Sequence, residues 1–353
     1  MKEISADLLR IIDANINRMG EGLRVLEEFA RLSLNDTVIT QQLKNMRHTL
    51  VNTGGDLQNQ LLGARDAAGD VGGSMDVLGE VKTRDASEAI FANARRVQES
   101  LRVMEEMSKA PGLVLNSEVY RQARFELYTI EKELLARILR QDKIKRLAGL
   151  YVVIDTAWLK GRRPEEIAKQ AIRGGAKVIQ LRCKERSTRD FLTIAMELKA
   201  VCSEYAILFI VNDSLEVALA CGADGLHIGQ DDLPAKTARK LIPIDMILGI
   251  SVSTVDEAKA ALAEGVDYLG VGAIFVTPTK ESAKAVGLGR LKEIKKAFDL
   301  PVVAIGGINK ENLSAVMKAG ADSAAVISAV LGAKDVEKVT RQLVDIIGGQ
   351  KNG

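Results

Sequence analysis

Gly222-Ala223-Asp224-Gly225-Leu226-His227-Ile228-Gly229-Gln230-Asp231-Asp232 holds a helix end, a strand and a polar loop in one short stretch. The glycine closes a helix, the run from Gly225 to Ile228 is short and apolar, and an acidic loop follows. The same Gly-x-Asp turn recurs at Gly265-Val266-Asp267 and Gly320-Ala321-Asp322. Apolar runs of strand length recur with it. They lie at Leu150–Ile154, Val178–Leu181, Ile207–Val211, Gly225–Ile228, Met246–Ile250, Tyr268–Val271, Val302–Ile305 and Ala324–Ile327. A helical stretch follows each run. Eight such units over about 200 residues predict an α/β fold, a (β/α)8 TIM barrel. A doubly wound open sheet is the competing arrangement.

The barrel does not fill the chain. At 353 residues the length points to two domains. Of six prolines only Pro111 precedes residue 160, as expected if long helices come first and a turn-rich fold second. The pattern changes at Lys143-Ile144-Lys145-Arg146, which sets domains of 1–146 and 147–353. Lys and Arg total 49 against 47 Asp and Glu, which argues against a nucleic-acid protein held by bulk positive charge. Cys183, Cys202 and Cys221 form no CxxC pair and no cluster with His48 and His227, so neither a disulfide framework nor a zinc site is expected. No apolar run approaches the roughly 20 residues of a membrane span. No signal-peptide pattern opens the chain. These readings together predict a cytoplasmic protein.

Residues 1–146 read as an all-α domain. Helical stripes run from Ile4 to Ala30, from a cap at Asn35-Asp36 through Leu57, from Asp85 to Lys109, and onward from Asn116-Ser117. Four such helices suggest an antiparallel bundle or a pair of helical hairpins. The segments Ala14–Phe29 and Ala92–Met107 share nine of sixteen residues, including Asn15/Asn93, Arg18/Arg96, Arg24/Arg102 and Glu28/Glu106. A duplicated helical hairpin explains this. The shared charges form either an exposed ladder of ion pairs or the facing walls of a pseudo-symmetric pocket or dimer seam. Between the copies, Gly63 to Ser74 carries Arg65, Asp66 and Asp70. That composition suits a phosphate with a magnesium ion, or equally a solvated hinge. No G-x-x-x-x-G-K-[ST] loop is present.

Barrel chemistry sits where the strands end, and the polar residues there form a coherent set. Strand alternation places Gln180, Arg182 and Lys184 on one side. Asn212-Asp213, His227 with Asp232, Ser251, Thr277-Pro278-Thr279-Lys280, Gly306-Gly307 and Ile327-Ser328 end the others. Arg182, Lys184 and Lys280 with the separated aspartates Asp213 and Asp232 predict a positive pocket that holds a diphosphate with one magnesium ion. The ends of strands 7 and 8 are a common phosphate site in such barrels.

With these motifs in place, residues 148–347 closely resemble the thiamine-phosphate synthases. The match rests on Q-x-R-x-K (Gln180 to Lys184), N-D (Asn212, Asp213), H-x-G-Q-x-D (His227 to Asp232), G-x-S (Gly249 to Ser251), T-x-T-K (Thr277 to Lys280), I-G-G-I (Ile305 to Ile308) and Ile327-Ser328. The resemblance implies a transferase of thiamine biosynthesis that joins hydroxymethylpyrimidine diphosphate to thiazole phosphate with loss of diphosphate. It further implies that Asp213 and Asp232 hold one Mg²⁺, and that Arg182, Lys184, Asn212, Ser251 and Lys280 contact the pyrimidine diphosphate, with Gln180 near its ring. Arg182, Lys184, Ser251 and Lys280 become the catalytic set. Thr277, Thr279, Gly307, Ile327 and Ser328 would surround the thiazole phosphate. Phe275-Val276-Thr277 lacks the proline that often precedes the first threonine in this family, and Pro278 stands between the threonines instead.

The N-terminal part resembles a helical family proposed as an alternative hydroxymethylpyrimidine phosphate kinase. That match rests on Asp13–Glu28 and on Arg65–Gly72. It implies ATP as a cofactor and makes Asn15, Arg18, Arg65, Asp66 and Asp70 candidate site residues. An assembly or scaffolding module is the alternative for this domain, and a thiazole tautomerase relative is the alternative for the barrel. The expected partners are small phosphorylated molecules, with no nucleic acid and no membrane, in a homo-oligomer.

Overall fold

The computed structural model describes residues 4–52, 54–66, 85–277 and 285–349. Backbone contacts divide the chain into two units, residues 1–139 and 140–353.

The first unit is helical. It comprises α1 (Ala6–Glu28), α2 (Thr37–Val51), α3 (Gly55–Ala64), α4 (Ala86–Met107) and α5 (Ser117–Lys145), the last of which runs on into the second unit. The cap read at Asp36 forms as hydrogen bonds, and a second one not read from the sequence forms at Asp85. Asp36 accepts from the Val38 and Ile39 N–H groups, and Asp85 and Glu88 make a reciprocal capping box. Ile12, Met19, Leu23 and Leu26 of α1 bury one face against Ile90, Val97, Leu101 and Met104 of α4. A Cβ on Gly22 would lie 2.5 Å from Val97 Cγ2, so glycine there sets the close approach of the two helices. The single helix expected from Asp36 to Leu57 is instead two. The chain breaks after Val51 and turns at Gly54, whose φ of 79° favours glycine.

The two similar segments make similar contacts. Asn15 and Asn93 each donate from Nδ2 to the carbonyl four residues back, both at 2.8 Å. Arg24–Glu28 and Arg102–Glu106 are surface pairs, which accounts for the ladder. Glu27 and Glu105, by contrast, are buried, and each is gripped at 3.0 Å by an arginine of another helix, Arg47 and Arg124 respectively.

The second unit alternates β1 (Gly149–Asp155), α6 (Pro164–Arg173), β2 (Val178–Arg182), α7 (Thr188–Glu204), β3 (Leu208–Asn212), α8 (Leu215–Ala220), β4 (Gly225–Ile228), α9 (Ala235–Leu241), β5 (Ile247–Val252) and α10 (Val255–Ala263). It continues with β6 (Tyr268–Val271), α11 (Gly287–Ala297), β7 (Val302–Ile305), α12 (Leu313–Lys318), β8 (Ser323–Val326), α13 (Ser328–Leu331) and α14 (Val336–Gly349). All neighbours pair in parallel in the order β1 to β8, and β8 returns to β1: the barrel is closed. Alternation then separates two cores. Leu150, Val152, Ile154, Leu226 and Ile228 pack outward against helices, whereas Tyr151, Val153, Ile210, Tyr268 and Val303 fill the interior.

The three Gly-x-Asp turns do the same job each time. Gly222, Gly265 and Gly320 take φ of 64°, 84° and 99°. The aspartate two residues on then accepts the N–H of the neighbouring strand's start and a cation from a helix. Asp224 takes Phe209 N and Lys199, Asp267 takes Leu248 N and Arg239, and Asp322 takes Val302 N and Lys295, all at 2.7 to 3.0 Å. Asp267 also binds Arg140 of α5 at 2.9 Å, Lys143 reaches Asp245 at 2.9 Å, and Leu147 joins the interior core. Among the described residues no helix is long and apolar enough to cross a membrane.

Candidate active site

Barrel closure gathers the ends of the strands. Gln180, Arg182, Lys184, Asn212, Asp213, Asp232, Ser251, Thr277, Gly307, Ile327 and Ser328 line one pocket. Thr279 and Lys280 lie outside the described residues, as does Asp70.

β2 supplies the basic arm, and each cation already has a partner. Arg182 pairs with Asp155, which ends β1 in register opposite it and is 2% exposed. Lys184 lies 3.5 Å from Asp213. Asp213 follows β3 in the left-handed conformation, φ 63°, which Asp tolerates through its short polar side chain. Its N–H donates to His227 O at 2.8 Å, which fixes the turn to β4. Asp232 is drawn back toward β4 by Gly229 N–H, 2.7 Å from its Oδ2. Burial first, and then the Asp232 carboxylate beside it, push the Asp213 carboxyl up to about 6, against the pull of Lys184.

The expected positive pocket is not what the described lining provides. Asp213, Asp231 and Asp232 stand against Arg182 and Lys184, with Lys280 outside the described residues. Two carboxylates facing each other with the single ammonium of Lys184 suit a hard divalent cation, whose remaining coordination positions suit water and phosphate oxygens. The donor chemistry at Asp213 and Asp232 therefore fits magnesium.

Sequence reading left Asp155, Tyr151, Tyr268 and Asn312 out of the site and named His227 and Gln230 only within a motif. Asp155 orients Arg182, and its place at the end of β1 was a visible signal. Tyr151 and Tyr268 lie in the pocket floor, where Tyr151 accepts from Gln180 Nε2 at 2.8 Å and its hydroxyl meets that of Tyr268 at 3.3 Å. His227 sits between the Tyr268 hydroxyl and Ser251 Oγ, 3.0 Å from each. Gln230 donates to Ser251 O at 2.7 Å. On β7's side, Asn312 Nδ2 holds the Gly307 carbonyl at 2.9 Å.

In the helical unit, Arg65 makes a two-bond clamp on Asp13, both at 2.7 Å, and Arg10 donates to the Asp66 carbonyl at 3.3 Å. The clamp raises the Arg65 guanidinium above its ordinary value. Asn15 is buried on its own helix and Arg18 is exposed. The candidates Arg65 and Asp66 thus meet α1 through Asp13 and Arg10.

Residues 150–330 match the family of thiamine monophosphate synthases. The chain belongs to the thiamine-phosphate synthase family. The thiamine-phosphate synthase of Thermosynechococcus vestitus is 39% identical over 337 residues, covering 96% of this chain and 94% of the relative. That of Prochlorococcus marinus strain AS9601 is 37% identical, covering 93% and 92%. The solved thiamine phosphate pyrophosphorylase of Pyrococcus furiosus covers 58% of this chain and 98% of its own, with 41% identity and a TM-score of 0.54. The barrel of this synthase family member is accordingly that of a transferase. Residues 10–133 match the ThiD2 family.

Proposed function

We propose that the barrel joins hydroxymethylpyrimidine diphosphate to thiazole phosphate, releasing diphosphate and forming thiamine phosphate. The observation that carries this reading is the convergence of Arg182 and Lys184 with the Asp213–Asp232 pair at one barrel mouth. Anion-binding and cation-binding groups interleaved this closely suit a diphosphate that arrives with a metal. Asp213 and Asp232 would hold one magnesium ion, which supplies charge neutralisation for the departing diphosphate.

The chain's own groups carry the rest. The bond between the pyrimidine methylene carbon and the diphosphate oxygen breaks, and that oxygen keeps the electron pair. Arg182, Lys184, Asn212, Ser251 and Lys280 donate hydrogen bonds to the departing oxygens as their charge grows. Arg182 is held for this by Asp155, and Lys184 by Asp213. The aminopyrimidine delocalises the methylene cation and Gln180 borders its ring. Thr277, Thr279, Gly307, Ile327 and Ser328 seat the thiazole phosphate so that the thiazole nitrogen supplies the pair for the new C–N bond. No proton is removed in this step, so no general base is required.

Asp232→Ala and Lys280→Ala, each in the full chain, are expected to lower coupling turnover by at least about 10²-fold. Circular dichroism and thermal unfolding should show both variants folded. Wild-type turnover in either folded variant would remove the diphosphate assignment.

A second reading concerns residues 10–133, and their match to the ThiD2 family supports it. This unit transfers a phosphoryl group from ATP to hydroxymethylpyrimidine phosphate, supplying the diphosphate that the barrel consumes. Asn15, Arg18, Arg65, Asp66 and Asp70 are its candidate residues.

A further inference from the structure

The interior of a (β/α)8 barrel is ordinarily packed with branched apolar side chains. Here a row of polar groups crosses it. Gln180 Nε2 donates to the Tyr151 hydroxyl at 2.8 Å, the Tyr151 and Tyr268 hydroxyls are 3.3 Å apart, Tyr268 lies 3.0 Å from His227 Nδ1, and His227 Nε2 lies 3.0 Å from Ser251 Oγ. Both ends of the row, Gln180 and Ser251, line the substrate pocket.

The neighbouring strands make room for it. A Cβ on Gly249 would lie 2.1 Å from Tyr268 Cζ, and one on Gly270 would lie 2.8 Å from His227 Cε1. Alanine at either position would collide with a ring. Two rings bearing polar groups therefore occupy space that two glycines keep open, where an apolar filling would need no hydrogen-bond partners.

We propose that Tyr151, Tyr268 and His227 are positioning residues: they form a one-way hydrogen-bond chain from Gln180 that presents the Ser251 hydroxyl to the substrate as a donor. The inference rests on the reading of the barrel as the diphosphate-releasing synthase, in which Ser251 contacts the diphosphate.

The direction follows from counting protons. Tyr151 accepts from Gln180, and among the described residues its own proton has Tyr268 Oη as acceptor. Tyr268, having accepted, gives its proton to His227 Nδ1. A neutral imidazole carries one N–H, so that proton sits on Nε2 and goes to Ser251 Oγ. The Ser251 proton is left to point elsewhere, into the pocket. Burial keeps every member in the required state. It drives the His227 ring down to about 4 and holds both phenols above their ordinary value, so imidazole and phenols are neutral at physiological pH. An imidazolium would donate at both nitrogens and leave the Tyr268 proton without an acceptor.

The chain has only two histidines, His48 and His227, so ¹⁵N-histidine NMR reads this ring directly. In the full-length wild type, His227 should show a protonated Nε2 and an unprotonated Nδ1 from about pH 6 to 8. Tyr268→Phe keeps the ring volume and removes the donor to Nδ1, and should abolish the bias toward that tautomer. It should also lower coupling kcat about tenfold, the scale of one hydrogen bond, with little change in KM for the thiazole. In a Ser251→Ala background the same substitution should cost less than about twofold, because it acts through that hydroxyl. A protonated Nδ1 in the wild type, an unchanged tautomer in Tyr268→Phe, or losses that multiply in the double variant would overturn the proposal. Absence of coupling turnover in the wild type would instead sink the function assigned to the barrel, while the tautomer measurement still decides the chain.

Discussion

Asp213 shows how much chemistry one residue draws from its neighbours. Its left-handed backbone ends β3, and its carboxyl faces Asp232 and Lys184. The folded chain holds the Asp213 proton up to about 6, against an ordinary 3.8. Folding therefore takes up a proton between those values, and stability falls as pH rises through that window. Below it both states are protonated and the carboxyl contributes nothing. Asp213→Asn keeps the shape, and Asn also tolerates a positive φ. The variant should melt like the wild type below about pH 4 and at a higher temperature above about pH 6, where it relieves the carboxylate pair. Magnesium should raise the melting temperature of the wild type and leave the variant nearly unchanged. Equal melting at neutral pH, or an equal magnesium effect, would contradict the reading of this pair.

At the scale of elements, a strand is tied to its neighbour by one aspartate, and the three Gly-x-Asp ties are not equal. Asp224 and Asp322 each hold one lysine and one N–H, whereas Asp267 holds Arg140, Arg239 and Leu248 N–H while only 6% exposed. Burial holds the Arg239 guanidinium below its ordinary value against the pull of Asp267, and Arg140 beside it pushes the same way. Removing the carboxylate leaves two largely buried cations facing each other. Asp267→Ala should therefore cost about 3–5 kcal/mol and Asp224→Ala about 1–2 kcal/mol, measured by denaturant unfolding. The tie lies where β6 begins, away from the strand ends that carry the chemistry. Coupling turnover per folded molecule should stay at the wild-type level in Asp267→Ala. A loss of turnover without a loss of stability would show that this tie shapes the site.

For the whole molecule, the net charge of +2 hides local imbalance. The substrate pocket is rich in carboxylates among its described residues, and the end of α5 brings basic side chains to the second unit. Every barrel site residue lies after Arg140, so a chain beginning there should couple the pyrimidine diphosphate at the full rate. Supplied with the monophosphate and ATP instead, only the full chain should form thiamine phosphate, which product analysis by chromatography would follow. If the full chain also fails with the monophosphate, the kinase reading is lost and the coupling reading stands. A chain beginning at Gly149 lacks Arg140, Ile144 and Leu147 and should melt well below the one beginning at Arg140.

Much of this is legible in the sequence alone. Strand and helix periods are local, so the apolar runs placed the eight strands to within two residues, and alternation alone put Gln180, Arg182 and Lys184 on the pocket side. Glycine at the turns followed from backbone sterics, and Gly222, Gly265 and Gly320 take the positive φ that such turns require. What no local rule supplies is partnership. Arg182 finds Asp155, and Tyr151 finds Tyr268 from 117 residues away, because the sheet closes on itself. Glu27 and Glu105 belong by type to a solvated ladder, yet packing buries them under arginines from other helices. The break between α2 and α3 escaped the apolar stripe because one turn at Gly54 leaves Leu57 in step with it. Composition named the groups at the barrel mouth. Only closure decided which charges neutralise each other and which protons face which acceptors, because those partners sit on strands far apart in the chain.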